Sequence, residues 1–185
     1  IGYRNDLIVR GGGPSENAFY IDGVEIPHSN HFATQGASGG PVSILNSDLI
    51  REISFYTGSF PAHRGGALSS VMDITLKDGN PEKQAFKATI GASEVGVSAS
   101  GHIGERTTYI ASVRQSYLQL LFKLLGLPML PNYIDGQVKF KTRIDRNNEL
   151  VFIGLAGFDN MKLSDDPDDA GDEYLLSYLP LLKQE

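Results

Sequence analysis

The nine residues Gln137–Asp145, QVKFKTRID, decide how the second half of the chain folds. Apolar or β-branched residues alternate with polar ones, so successive side chains would point to opposite faces of a strand. One face carries Val138, Phe140, Thr142 and Ile144, and the other carries Gln137, Lys139, Lys141 and Arg143. A run of this length is also about what a tilted strand needs to cross a bilayer.

Neighbouring segments extend the same pattern on both sides of this run. We predict further strands over Phe86–Ser93, Gly96–Ile103, Thr107–Gln115 and Glu149–Asp159. Between them, Leu118–Leu127 reads as a short packed helix in a loop, ended by Gly126 and Pro128. A helix that binds a partner or a membrane surface is the alternative for this segment, although its one lysine supplies little charge.

The connections between these strands alternate in length. Gly104–Arg106 and Arg146–Asn148 are tight turns, whereas Ser116–Gly136 and the segment after Asp159 are long. Short turns on one side and long loops on the other are typical of an outer-membrane barrel. A soluble antiparallel sheet with one wet face gives the same alternation, so the pattern alone leaves both architectures open.

The first eighty residues predict a compact mixed α+β unit with short strands. Ala18–Ile26, AFYIDGVEI, is a β-hairpin signal, because its Asp-Gly pair suits a type I′ turn. Ile53–Thr57 and Ser69–Leu76 read as further strands, and Asn46 or Ser47 can cap a short helix. The turn-forming residues 78–81 (DGNP) interrupt regular structure and predict a domain boundary between residues 1–80 and 81–185.

Composition excludes several classes of protein. The chain has 185 residues, a net charge of −6 and no cysteine, which rules out disulfide scaffolds and thiol nucleophiles. It lacks a long apolar run for a transmembrane helix, and its acidic balance argues against nucleic-acid binding. Asp165–Glu173 holds six acids without a base and reads as a solvated loop, since a calcium-loop pattern fails at Ala170 and Ser177.

Two motifs resemble catalytic or metal sites, and we predict neither activity nor metal from them. Gly36–Gly40 matches the Gly-x-Ser-x-Gly pattern around Ser38, but it lacks the strand before and the helix after that a nucleophile elbow needs. His28 and His31 lie three apart on a loop without helical-face geometry. We therefore expect no enzyme activity, no cofactor and no metal, with a serine hydrolase using Ser38 as a remote alternative.

An ordered series of segments resembles the plug domain of TonB-dependent outer-membrane receptors. The series is Val9–Gly12 (VRGG), Tyr20–Val24 (YIDGV), Ile53–Thr57, Phe60–Val71 (FPAHRGGALSSV) and Ile74–Gly79 (ITLKDG). The likeness covers residues 1–80, and residues 86–162 are similar to the opening barrel strands of Bacteroidetes-type members. The resemblance favours the barrel over the soluble sheet.

The resemblance implies a barrel of about 22 strands whose lumen is closed by the plug. Such receptors import scarce, large nutrients, such as metal chelates, vitamins or glycans, using energy from an inner-membrane TonB complex. The implied partners are that complex, the nutrient, outer-membrane lipid and a surface lipoprotein. Because the sequence begins at Ile1 and stops within an apolar-polar stretch, we expect an internal fragment. A soluble secreted all-β binding module is the alternative.

Three groups of site residues follow from this interpretation. We predict that Arg10, Asp22, Arg51 and Glu52 form ion pairs between plug and barrel. The glycine-, serine- and histidine-rich loop over residues 27–41 is the expected ligand-facing segment, through His28, Asn30 and His31. We expect the charged face of the alternating run, Lys139, Lys141 and Arg143, to line the lumen.

Overall fold

The computed structural model describes residues 6–33, 40, 42–126 and 129–163, and these form two β-sheets. The first sheet contains β1 (Asn17–Ile21), β2 (Val24–Ile26), β3 (Ile50–Tyr56) and β4 (Ser70–Leu76). The second contains β5 (Ala85–Ile90), β6 (Glu94–Ile103), β7 (Thr107–Ser116), β8 (Met129–Arg143) and β9 (Glu149–Leu163). One α-helix, α1 (Leu118–Leu124), and two 3-10 turns (Pro14–Glu16 and Ser47–Leu49) complete the described elements.

The first sheet has the strand order β2-β1-β4-β3. β1 and β2 form the hairpin that the sequence predicts, and both turn residues have positive φ, 45° at Asp22 and 90° at Gly23. This is the type I′ geometry that an Asp-Gly pair favours. β1 runs parallel to β4, and β3 is antiparallel to β4, so the sheet is mixed.

The prediction of a mixed α+β fold for the first unit is wrong. Of the described residues, 53% lie in strands and 9% in helical turns, and the one α-helix belongs to the second unit. The expected helix after Asn46 is a single 3-10 turn, although Asn46 caps it by accepting from Asp48 N at 2.9 Å. It ends at once because β3 begins at the β-branched Ile50, and β-branched residues favour strands over helices.

The second sheet is an antiparallel meander in the order β5-β6-β7-β8-β9. Within the described residues it is open, with β5 and β9 at its edges, so these five strands do not close a barrel. β8 begins at Met129, inside the segment predicted to be a loop as far as Gly136, and runs for 15 residues. The hydrogen-bonded register to β9 continues through this stretch, which is why the strand extends beyond the clearest alternation.

The two faces of the second sheet have opposite polarity. The face toward the first sheet is polar, and its buried side chains include Ser112, Arg114, Ser116, Asp135, Gln137 and Lys139. The opposite face is apolar and exposed, and it includes Phe86, Ile90, Val95, Val97, Val113, Phe152 and Phe158. The buried face is therefore the charged one, contrary to the usual arrangement of an antiparallel sheet in a globular protein.

The main apolar core lies where the first sheet meets the second. Ile21, Ile74 and Leu76 of the first sheet pack with the Ile44–Leu45 segment and Leu49. The second sheet contributes Ile110, with Ile153 and Leu155 packed at the margin. The core thus joins the two sheets, and the linker over residues 77–84 lies against β6 and β7.

Gly79 of this linker passes so close to the second sheet that it has no room for a side chain. A Cβ atom at residue 79 would lie 2.5 Å from the carbonyl oxygen of Gly101 and 2.5 Å from the amide nitrogen of Tyr109. Both atoms belong to the backbone of paired strands and cannot move independently.

We predict that Gly79→Ala lowers the free energy of unfolding by about 1–3 kcal/mol, the usual cost of overpacking. Gly65→Ala is the matched control, because a Cβ there meets nothing within 4 Å and should change stability by less than about 0.5 kcal/mol. Chemical unfolding of the two variants measures the difference. Equal stabilities would contradict the close packing of the linker.

Candidate functional site

The candidate site is the polar interface between the inner face of the second sheet and the first unit. It contains two groups of charged side chains. The histidine cluster consists of His31, Glu94, Arg114, Tyr133, Asp135 and Asp159. The lysine cluster consists of Asp22, Asp78, Lys139, Lys141 and Glu149.

His31 is the centre of the histidine cluster and is 1% exposed. Its Nε2 lies 3.0 Å from Oδ2 of Asp135 on β8, and its Nδ1 lies 2.6 Å from Oδ1 of Asp159 on β9. The imidazole also stacks on Tyr133, with ring centroids 4.1 Å apart. Both ring nitrogens of His31 therefore contact carboxylates that belong to the second sheet.

Backbone hydrogen bonds hold the segment around His31 in place. The His31 amide donates to the Val42 carbonyl at 2.8 Å, and Asn30 forms an isolated β-bridge with Ser43. The Phe32 amide donates to Oδ2 of Asp159 at 2.6 Å, so both oxygens of that carboxylate bind the segment. Gly157 lies beneath it, and the absence of a side chain there leaves room for the Ile44 side chain and the His31 ring.

Arg114 connects His31's partners to the neighbouring strands. Its Nε donates to Oδ1 of Asp135 at 3.0 Å, and its Nη2 donates to the Ser43 carbonyl at 2.8 Å. A weaker contact of 3.4 Å joins Nη1 to Glu94, which also accepts from the Tyr133 hydroxyl. The cluster thus spans β6, β7, β8 and β9, and a planar guanidinium suits such branched contacts.

The protonation equilibrium of His31 follows from these contacts. Burial by itself lowers the pKa of His31, because a charged imidazolium loses its hydration. The hydrogen bonds to Asp135 and Asp159, together with the charges of these carboxylates, outweigh the burial and raise the pKa above its usual value.

The lysine cluster lies in the part of the interface formed by the β1–β2 turn and the linker. Lys139 Nζ is 2.9 Å from Asp22 at the β1–β2 turn and 2.9 Å from Asp78 in the linker. Lys141 bridges Asp78 at 3.1 Å and Glu149 at 3.2 Å. Burial raises the pKa of Asp78, but the hydrogen bonds from both lysines outweigh it, and the pKa is lower than usual.

Among the four residues predicted as plug–barrel ion pairs, the structure brings Asp22 to the second sheet, where it pairs with Lys139. Arg10, Arg51 and Glu52 are exposed and form no ion pair with the described residues. Arg10 lies beside Gly58 in the first unit, and Arg51 and Glu52 are on the edge strand β3. For Arg10, Arg51 and Glu52, ion pairs between plug and barrel stay a prediction.

The predicted ligand-facing residues do not share one environment. His31 is buried against the second sheet, Asn30 is half-buried, and Nδ1 of His28 is buried without a hydrogen-bond partner among the described residues. The predicted lumen-facing lysines both face the first unit, with Lys139 buried and Lys141 partly exposed. Arg143 has the same register parity but is exposed.

The sequence pattern did not predict Asp135 and Asp159 as partners of His31, nor Arg114 as the partner of Asp135. Asp135 falls inside a stretch that was interpreted as loop, although it is in phase with Lys139. Extending the period-two alternation backward from Gln137 would have placed Asp135 and Tyr133 on the polar face. The contact between this face and His31, more than a hundred positions away, cannot be predicted from the pattern of a single sequence.

Within the described residues, no group of three histidine or acidic side chains is arranged to hold a metal ion. Ser38 and the acidic segment Asp165–Glu173 lie outside the described residues. No described helix combines the length and the apolar composition that crossing a membrane requires.

Comparison with known proteins leaves the family open. No family model matches the chain, and no curated protein matches it either.

We predict that Lys139→Met lowers the free energy of unfolding by about 3 kcal/mol, because it leaves two carboxylates at a buried interface without their shared cation. Arg143→Met is the matched control on the same strand, since Arg143 is exposed and forms no ion pair within the described residues. It should change stability by less than about 0.5 kcal/mol.

A double-mutant cycle tests the pairing itself. Adding Asp22→Asn to Lys139→Met should recover part of the loss, because it removes one of the two unpaired charges. Losses that simply add in the double variant would contradict a direct interaction between Asp22 and Lys139. Chemical unfolding of the four proteins measures both effects.

Proposed function

We propose that this chain is part of a TonB-dependent outer-membrane receptor that takes up a large, scarce nutrient. In this proposal, residues 1–80 belong to the unit that closes the pore, and residues 81–185 belong to the membrane-embedded wall. The observation that carries the proposal is the inverted polarity of the second sheet, which exposes its apolar face and covers its charged one.

The exposed face is too apolar and too continuous for an ordinary water-facing sheet. Ile90 is 85% exposed, Phe158 73% and Val97 61%, and they lie on three different strands. Tyr109, Phe140 and Phe152 add a row of aromatic rings across β7, β8 and β9, with successive centroids 6.3 Å apart. Contiguous exposed apolar surface of this kind marks a membrane or a protein interface.

Strand length favours the membrane over a protein partner. β8 and β9 each have 15 residues, which at about 3.3 Å per residue gives roughly 50 Å. A strand tilted by about 45° would then rise roughly 35 Å, more than the ~25 Å apolar band of outer-membrane proteins. The two strands are therefore long enough to cross and to extend beyond the bilayer.

The covered face has the character expected next to a wet pore. It consists of serine, glutamine, lysine, arginine and aspartate side chains, and the first unit meets it through ion pairs as well as apolar contacts. A unit that must later move can exchange such polar contacts for water, because the hydration that both separated charges regain offsets the attraction that they lose.

The alternative of a soluble secreted binding module fits these observations less well. Its sheet would have the apolar face covered and the charged face wet, which is the opposite arrangement. The broad class of nutrient, the TonB complex and the surface lipoprotein partner are proposed from the family resemblance alone. The absence of enzyme activity and of a cofactor is proposed from the motifs around Ser38, His28 and His31, which lack the context that catalysis or metal binding needs.

We predict that adjacent residues of one strand face lipid and water in turn. These 185 residues contain no cysteine. Single cysteines introduced at Val97 and Ser98 of β6 can carry an environment-sensitive fluorophore in the full-length protein in membranes, in a background without other accessible cysteines. The fluorophore at residue 97 should be quenched by lipid-soluble nitroxides and protected from iodide, and the one at 98 should behave oppositely.

Phe152 and Ile153 provide a second matched pair on β9, with Phe152 on the exposed face and Ile153 at the margin of the core. Iodide quenching at both 97 and 152, without quenching by nitroxide lipids, would overturn the membrane assignment in favour of the soluble module.

A further inference from the structure

The His31 ring is held between two carboxylates, each within hydrogen-bonding distance of a different ring nitrogen. Asp135 is almost completely buried at 2% exposure, and Asp159 is on the adjacent strand with a side chain that is partly exposed. The stack on Tyr133 fixes the plane of the ring, so neither nitrogen can turn away without breaking the packing.

The number of protons on the ring decides how many of these contacts are hydrogen bonds. An ionised carboxylate only accepts hydrogen bonds, and a neutral imidazole has a single N–H group. With both carboxylates ionised, the contacts of 3.0 Å and 2.6 Å are both hydrogen bonds only if both nitrogens carry protons. Loss of one proton would leave a lone pair of the ring facing a carboxylate oxygen.

The surrounding charges favour the doubly protonated ring. The titratable groups in contact with His31 are Tyr133 and Asp135 of β8 and Asp159 of β9. Glu94 of β6, Arg114 of β7 and His28 of the same segment act on these partners and complete a set of six groups. Three of these are carboxylates, and Arg114 is the one permanent cation among them. A neutral His31 would leave Arg114 alone to balance three negative charges.

We propose that His31 is a proton-dependent latch, which holds residues 28–33 on the inner face of β8 and β9 when the imidazole is protonated and releases them when it is neutral. The inference depends on the contact between the two sheets and does not require the receptor function. In a receptor, the latch would make the position of the loop beside the pore wall depend on pH.

The direction of the pH dependence follows from linkage. Because the pKa of His31 is raised in the docked state, its stabilising effect is complete below the ordinary value of about 6.5 and is lost as the pH rises through the docked-state pKa. The docked-to-released ratio falls by about a factor of ten for each unit by which the docked pKa exceeds the released one.

Amide hydrogen exchange of the full chain tests the latch. The amides of His31 and Phe32 are suitable reporters, because they donate to the Val42 carbonyl and to Asp159 respectively. Exchange is measured by mass spectrometry between roughly pH 5 and 9 and is corrected for the intrinsic pH dependence of unprotected amides. We expect protection at residues 31 and 32 to fall as the pH rises, while protection in β7 stays constant.

Two variants and a control assign the effect to His31. His31→Gln removes the titration, so protection should be low and independent of pH. Asp159→Asn keeps the titrating ring but removes one carboxylate, so the midpoint of the transition should move to lower pH. His102→Gln is the matched control, since His102 is on β6 and contacts the Gly104 carbonyl instead of a carboxylate.

Three results would overturn the proposal. They are protection that does not change with pH in the parent chain, a pH transition that persists in His31→Gln, or a midpoint that does not move in Asp159→Asn. A midpoint that does not move in Asp159→Asn would mean that the titrating proton belongs to a carboxyl group and not to the His31 ring. None of these measurements depends on transport. The latch proposal can therefore be wrong while the receptor proposal is right, and the receptor proposal can be wrong while the latch proposal is right.

Discussion

The fold depends on covering the charged face of the second sheet. Arg114, Asp135 and Lys139 are buried there, and an unpaired buried charge costs several kcal/mol. The first unit supplies polar partners for these groups: His31 contacts Asp135, and Asp22 pairs with Lys139. The apolar core between the sheets adds the nonpolar contacts that bring these partners together.

This arrangement separates two surfaces with different physical roles. The inner surface is held by polar contacts, which can be exchanged for water, whereas the outer surface is apolar and continuous. Burying a Phe or Ile side chain is worth about 1.5–3 kcal/mol, so an exposed row of such residues strongly favours a nonpolar environment. The membrane assignment depends on the outer surface and the proposed latch on the inner one, and neither requires the other.

The local elements could largely be predicted from sequence, and the site could not. The Asp22-Gly23 turn, the strand over Ser70–Leu76 and the helix at Leu118 follow from local rules of backbone geometry. The prediction of a helix after Asn46 was wrong, because the pairing of β3 with the sheet begins at Ile50 and outweighs the weak helical preference that a capping residue provides. His31 was assigned to a ligand-facing loop, whereas its actual partners are far away in sequence.

The sequence by itself determined the alternation of β7, β8 and β9, and with it the existence of one polar and one apolar face. Alternation is a local property, since successive side chains of a strand must point in opposite directions. Only the tertiary structure decided which of the two faces is covered. That choice depends on His31 meeting Asp135 and Asp22 meeting Lys139, contacts between distant residues that no local pattern encodes.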